Sequence, residues 1–386
     1  MEVSLMAKSR RWARAAVMGI AAATIGLGLA ACGGGGGGGG PKIALLLPES
    51  KTTRYEAHDH PEFDAAVKAA CSDCDLIYSN ANQDASQQQS QMEAALTDGA
   101  DVVVLDPVDS TSAGAMVQLA KQQNVPVVSY DRLVLDSPDV NAYVSFDNVK
   151  VGQLQGDTLA NKLKTDGNPN GPIVRINGSP TDNNAKLFGQ GAASAFSQAG
   201  VQVAKEYDTP DWSPDQAQTE MDQAITALGK TGFKGVYAMN DGTAGGAIAA
   251  MQAAGVDTKT VPTTGQDAEL EAVQRILSGD QYMTVFKATK PEAQTAAKIA
   301  VALAKGQPIP TTGLLGQQTK TNNGSTDVPS VLLTPIAVTK DGASGTSSVS
   351  SAEYGGQKLV GPDGYWTADQ ICTAEFQSAC QAAGIS

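Results

Sequence analysis

Positive charge is scarce in this chain of 386 residues, where 27 Lys and Arg face 40 Asp and Glu for a net charge of −13. Residues 1–31 hold four of the basic residues and one acidic residue, so the remaining 355 residues carry about −16. That excess argues against nucleic acid and an anionic membrane surface as partners. Aromatic residues amount to only 5% of the chain, as in many exported α/β proteins. Histidine is nearly absent: His58 and His60, in Ala-His-Asp-His-Pro, are the whole supply. An extended segment with that spacing could chelate a metal, but it reads better as a solvated loop ahead of a helix, and no metal or other cofactor is expected. No long apolar run occurs beyond residue 32, so nothing past it is expected to span a membrane. A Gly-x-Ser-x-Gly elbow and a phosphate loop are both missing, which argues against the hydrolases and nucleotide enzymes built on them.

The amino-terminal segment is rich in signals. Lys8, Arg10, Arg11 and Arg14 precede the apolar run Ala15–Leu29, which closes in Leu29-Ala30-Ala31-Cys32. That is the layout of a secretory signal with small residues at the cleavage point. Its ending resembles a bacterial lipobox, which makes Cys32 the expected site of lipidation. Gly33 to Gly40 come next as a flexible tether without a core of its own. Residues 1–31 thus read as a leader and 32–41 as the lipidated cysteine and its tether. Four further cysteines form two local pairs, and an even count in an exported chain favours disulfides. Cys71-Ser-Asp-Cys74 reads as a staple at a helix end, and a Cys372–Cys380 link would pin the final helix, although counting alone leaves the connectivity open.

From Lys42 onward, short apolar runs alternate with helical patterns, the signature of βαβ units around a parallel sheet. Strands are expected at 43–47, 76–78, 102–105 and 125–129, with helices between them. Near Ser145-Phe146-Asp147-Asn148 the chain leaves this unit and the rhythm restarts, with strands at 173–176, 201–204, 235–238, 261–264 and 283–286. The expected fold is α/β: two doubly wound, Rossmann-like lobes joined by several crossings and separated by a cleft. Residues 42–147 with 288–314 are assigned to the first lobe and 148–287 with 315–345 to the second. Residues 346–386 form an extension. In such folds ligands sit beyond the carboxyl ends of the strands.

Polar clusters occupy those positions. Arg54-Tyr55, Asp131-Arg132, Asp182-Asn183-Asn184, Asn240-Asp241, Gln266-Asp267 and Lys287 all follow expected strands. Each alone would serve as a helix cap or turn; recurrence in both halves points to one constellation. Planar, multidentate carboxylates, amides and guanidinium groups suit the adjacent hydroxyls of a polyol. Trp212 is either a cover for the apolar face of a sugar ring or a packing anchor at a helix start. Arg54, Arg132 and Lys287 balance Asp131, Asp182 and Asp267, which favours a neutral polar ligand. Glu62, by contrast, is expected on the solvated outer face of a first-lobe helix.

The segments Ser129-Tyr-Asp-Arg-Leu133, Ser145-Phe-Asp-Asn148, Gly178-Ser-Pro-Thr-Asp-Asn-Asn-Ala-Lys186, Asn240-Asp-Gly-Thr-Ala-Gly-Gly246, Gly265-Gln-Asp-Ala268 and Val285-Phe-Lys287 occur in this order. Together they resemble the xylose-binding branch of the periplasmic sugar-binding proteins, over about Lys42 to Val338. The resemblance implies a monosaccharide held between two lobes, delivery to the membrane subunits of an ABC permease, and a monomer outside the cytoplasmic membrane. It implies ligand roles for Arg54, Tyr55, Asp131, Arg132, Asp182, Asn184, Trp212, Asn240, Asp267 and Lys287. Family members commonly show Arg-Trp where this chain has Arg54-Tyr55. Two other readings share the fold: a sensor that presents sugar to a membrane receptor, and a glycoside-processing enzyme. The enzyme fits less well, because carboxylates matched with Arg or Lys lack the raised pKa of a general acid.

Overall fold

Residue 43 opens a run of aliphatic side chains, Ile43–Leu47, with no polar face. Such a run can be a strand only where helices cover both sides of the sheet. In the computed structural model, which describes residues 39–343 and 345–385, that is its setting. Cys32 and the leader lie outside the described residues. The first lobe runs β1 (Lys42–Leu47), α1 (His60–Ala70), β2 (Asp75–Asn80), α2 (Ala85–Thr97), β3 (Val102–Leu105), α3 (Gly114–Gln122), β4 (Val127–Tyr130) and β5 (Val140–Phe146). Ile43, Leu45 and Leu47 belong to the core on one face of the sheet, and Ala44 and Leu46 to the core on the other. Full burial of each such aliphatic side chain contributes on the order of 2 kcal/mol.

The second lobe repeats the layout with α4 (Asn148–Thr165), β6 (Ile173–Asn177), α5 (Asn183–Ala199), β7 (Val203–Asp208), α6 (Pro214–Leu228), β8 (Gly235–Ala238), α7 (Asp241–Ala253), α8 (Leu270–Ser278) and β9 (Met283–Phe286). The glycine-rich start of α7 serves close packing, since a Cβ on Gly246 would collide with the Pro214 carbonyl of α6. From sequence, 261–264 is a strand. The structure has an extended segment there with one bridge, Val236 to Thr263. The Thr264 hydroxyl takes over ladder bonds, accepting from Ala238 N and donating to Ala238 O.

The chain then returns to the first lobe as α9 (Thr289–Ala304), whose Ala293, Ala296, Ala297 and Ala300 join the first-lobe core. Beyond it lie β10 (Thr319–Asn322), β11 (Asp327–Leu333) and β12 (Ile336–Thr339). The assignment of 315–345 to the second lobe needs correction. The first sheet has the order β10-β11-β5-β4-β3-β1-β2, and Ser330–Leu333 pairs in parallel with Tyr143–Phe146. Only β12 belongs to the second lobe, antiparallel to β9. Pro335 stands between the two strands, where a residue without an N–H suits a chain changing sheets. The lobes are therefore crossed three times: near Asp147, at 287–288 and at 334–335.

Residues 346–385 form a small module of β13 (Ser347–Ser348), the hairpin β14 (Glu353–Tyr354) and β15 (Gln357–Lys358), α10 (Ala368–Ile371) and α11 (Gln377–Ala382). Val349, Leu359, Tyr365, Trp366, Ile371 and Ile385 share a core with α8, β9 and β12 of the second lobe. Disulfides join Cys372 to Cys380 within this module and Cys71 to Cys74 at the end of α1. The module also reaches the first lobe, and there it overturns two expectations. Gln357 Nε2 donates to Glu62 Oε1 at 2.8 Å and Thr289 Oγ1 to Glu62 Oε2 at 2.6 Å, so Glu62 is an anchor and not a solvated residue. His58 lies in a π-helical turn, Tyr55–Asp59, stacked on Tyr365 at 3.7 Å and edge-on to Trp366 at 4.6 Å. Burial and the nearby Arg54 hold its pKa down to about 3.

Candidate functional site

Six of the ten residues singled out from sequence come from the loops that follow β4, β6, β8 and β9 and the 262–267 segment. Asp131 follows β4, and its side chain enters the cleft because its backbone adopts φ +50°. Such a conformation costs about 1 to 3 kcal/mol in a non-glycine residue and persists only where the surroundings hold it. Here Asp131 N donates to Val144 O, and its carbonyl accepts from Tyr143 Oη, Ser145 Oγ and Asn184 Nδ2. Asp267 has φ +91° and is held by its N–H to Val285 O. Both carboxylates therefore point across the cleft from turns fixed by the strands behind them.

The cations sit between them. Lys287, directly after β9, places Nζ 3.0 Å from Asp267 Oδ1 and 3.7 Å from Asp131 Oδ1. Arg54 lies 3.6 Å from Asp131 and 3.7 Å from Asp267 through Nη1, while its other nitrogens bind Asp59 at 2.7 and 2.8 Å and Glu292 at 3.0 Å. Tyr55 Oη donates to Asp131 Oδ2 at 3.2 Å. Burial alone would raise the Asp131 pKa; Lys287, Arg54 and Arg132 outweigh it and hold the group down to about 2. Arg132 binds Asp182 at 3.0 Å and faces Asp106 at 3.6 Å and Glu49 at 3.7 Å.

Asp182, the N-cap of α5, also accepts from Asn184 N and from Trp212 Nε1 at 3.2 Å. Burial raises its pKa even beside Arg132. Trp212 lies flat over Gly178, where any Cβ would collide with the indole, and faces Phe188. Asn240 caps α7 in a capping box with Thr243 that engages its Oδ1, so Nδ2 is the atom left for the cavity.

All ten residues line one small cavity, together with Thr52, Phe188 and Gln266. Asn184 lines it too, but its amide is engaged on both sides, by Asp131 O and by Asn148 Nδ2. Gln266 stands beside Asp267 in the sequence but was not among the ten. The balance of three charges against three is incomplete, since Asp59, Glu292, Glu49 and Asp106 form an outer ring. Glu49 and Asp106 follow strands β1 and β3 and were open to the same rule; Asp59 and Glu292 lie in helical segments and give no such signal. Burial pushes Glu292 and Asp106 well above the carboxylate range despite Arg54 and Arg132, which limits the negative charge the ring carries.

Several buried polar atoms facing this space make no hydrogen bond among the described residues: Gln266 Oε1, and Arg54 Nη1, Asp131 Oδ1 and Asp267 Oδ1, which meet one another and Lys287 only as ion pairs at 3.0 to 3.7 Å. Buried groups of this kind are costly unless a partner meets them. Donors and acceptors thus converge on a small space walled by Phe188 and Trp212. The lobes also touch directly, through Ser110 N to Thr181 O at 3.1 Å on one side and Thr53 N to Glu269 Oε1 at 3.2 Å on another.

The periplasmic binding protein domain matches residues 43–308 of the chain. The chain belongs to that family. Within it, the chain is 37% identical over 305 residues to the D-xylose-binding periplasmic protein of Escherichia coli K12, covering 78% of this chain and 87% of that protein. The multiple sugar-binding periplasmic receptor ChvE of Rhizobium radiobacter is 32% identical over 345 residues, covering 85% and 92%. Among solved structures, a family fold of the same kind is the ABC transporter solute-binding protein of Clostridium phytofermentans with bound β-D-glucose. It superposes with a TM-score of 0.68 at 29% identity, covering 77% of this chain and 93% of that one. No helix among the described residues is long and apolar enough to cross a membrane.

Proposed function

We propose that this protein is an extracytoplasmic solute-binding protein that takes a neutral monosaccharide, D-xylose first among them, between its lobes and delivers it to an ABC permease. The observation that carries the reading is the set of buried atoms from both lobes that make no hydrogen bond, one donor and three acceptors, around a small cavity with aromatic walls. A sugar hydroxyl donates one hydrogen bond and accepts others, so adjacent hydroxyls can meet both kinds of atom at once. Arg54, Tyr55, Asp131, Arg132, Asp182, Trp212, Asn240, Asp267 and Lys287 would supply the contacts, with Asn184 holding Asp131 in place.

The test is calorimetry of the purified protein against D-xylose, D-glucose, L-arabinose and D-galactose. Saturable binding of one or more, with the sugar recovered unchanged, is the expected result; no heat of binding with any of them overturns the reading. Turnover of a chromogenic xyloside would favour an enzyme instead. Asp131, at a pKa of about 2, holds no proton to give, but burial raises Asp182 even beside Arg132, contrary to the expectation for an Arg-matched carboxylate, so recovery of the sugar unchanged decides between the two readings. The lipobox-like ending further supports attachment through acyl chains on Cys32 to the outer face of the cytoplasmic membrane. Mass spectrometry of the native protein should find Cys32 modified, and an unmodified Cys32 would reject the anchor.

A further inference from the structure

The carboxy-terminal extension lies beyond the matched family domain, yet its two buried aromatics reach the supports of the cavity from behind. Trp366 Nε1 donates to the carbonyl of Ala268 at 2.8 Å. Ala268 and Asp267 form a corner of two consecutive residues at positive φ, +52° and +91°. Such a corner needs external holding. Besides Asp267 N to Val285 O, it has Ala268 N to Thr284 Oγ1 at 3.2 Å and the indole N–H. Tyr365 stacks on His58, which shares its helical turn with Tyr55 and follows Arg54 by four residues, and it packs edge-on to Phe286, the neighbour of Lys287. The pair is itself pinned, with Tyr365 N bound to Lys358 O and Trp366 N to Leu359 O.

We propose that Tyr365 and Trp366 are positioning residues for the sugar site: Trp366 holds the Asp267–Ala268 corner and Tyr365 backs the turn that carries Arg54, so the extension sets the spacing of two charged groups from opposite lobes. The inference rests on the monosaccharide reading of the cavity. A core residue that merely stabilises the fold would look similar in burial, so the test must distinguish position from stability.

Trp366→Phe removes the N–H while keeping an aromatic ring. It should weaken binding of the preferred monosaccharide about five- to tenfold, the effect of one hydrogen bond. In the Asp267→Asn background the same change should alter affinity no more than about twofold, because residues acting through one another are not additive. A loss within about twofold in the parent, or an equal loss in both backgrounds, overturns the proposal. Should Trp366→Phe fail to fold, the benzothienylalanine isostere at position 366 removes only the N–H and is judged by the same thresholds. Failure of the parent to bind any monosaccharide would count against the functional reading alone. A crystal structure of Trp366→Phe without sugar then decides the positioning claim: a relaxed 267–268 corner supports it and an unchanged one refutes it.

Discussion

Asp131 and Asp267 enter the cavity from opposite lobes, and each faces both Arg54 and Lys287. Removing either carboxylate leaves buried cations under-compensated as well as sugar hydroxyls without an acceptor. Asp267→Ala should therefore cost about 2 to 4 kcal/mol of sugar binding. Calorimetry checks this, and binding within threefold of the parent would mean that the site is placed wrongly. At this scale much was legible in sequence, because a polar residue directly after a strand has few places to point other than the cleft. Asp59 and Glu292 were not legible. Asp59 meets Arg54 through the local helical turn between them, whereas Glu292, 238 positions from Arg54, is brought to it only by the return of α9 beneath the first sheet. Tyr55 shows what a family departure can mean physically, since its hydroxyl is used to hold Asp131.

Helices announce themselves through one apolar stripe, and most were placed from sequence within a few residues. Interior parallel strands do so less well. Six of the seven residues of β5 are buried, so Val140–Phe146 has no alternation to detect. The extension was opaque for a different reason: its strands have two residues each, and its core is completed by α8 and β9. Its contact with α1 predicts a pH dependence. Burial pushes Glu62 up from 4.5 to about 7 against its hydrogen bonds from Thr289 and Gln357. The folded state then binds the proton more tightly than the unfolded chain does, so the contribution of Glu62 to stability is fully present below pH 4.5 and is lost as pH rises toward 7. Glu62→Gln keeps a neutral partner there. In thermal melts across that range, its midpoint should fall less with rising pH than the parent's; parallel curves would show that Glu62 is not the titrating group.

As a whole molecule, the protein closes its cavity through contacts that cannot survive separation of the lobes, including Ser110 with Thr181 and Thr53 with Glu269. Hinge closure is the usual response of such folds to ligand. Small-angle scattering should find a more compact particle at saturating sugar than without it, and an unchanged radius of gyration would count against a hinged cleft. The two-lobed plan was readable from the restart of the βα rhythm near residue 148, but the third crossing, assigned at 314–315, lies instead at 334–335. The membership of β10 and β11 was not readable, because strand pairing across 187 residues leaves no local trace. That pairing has a consequence for the order of synthesis. Emerging amino terminus first, the chain has made five strands of its first sheet by residue 146. One face of that sheet, on which α1 already packs, is completed only when α9 has appeared, and its edge at β5 stays open until residue 333. The first lobe is thus the first begun and among the last finished. For the exported protein proposed above, a native state that needs nearly its whole length would delay folding until the chain has crossed the membrane.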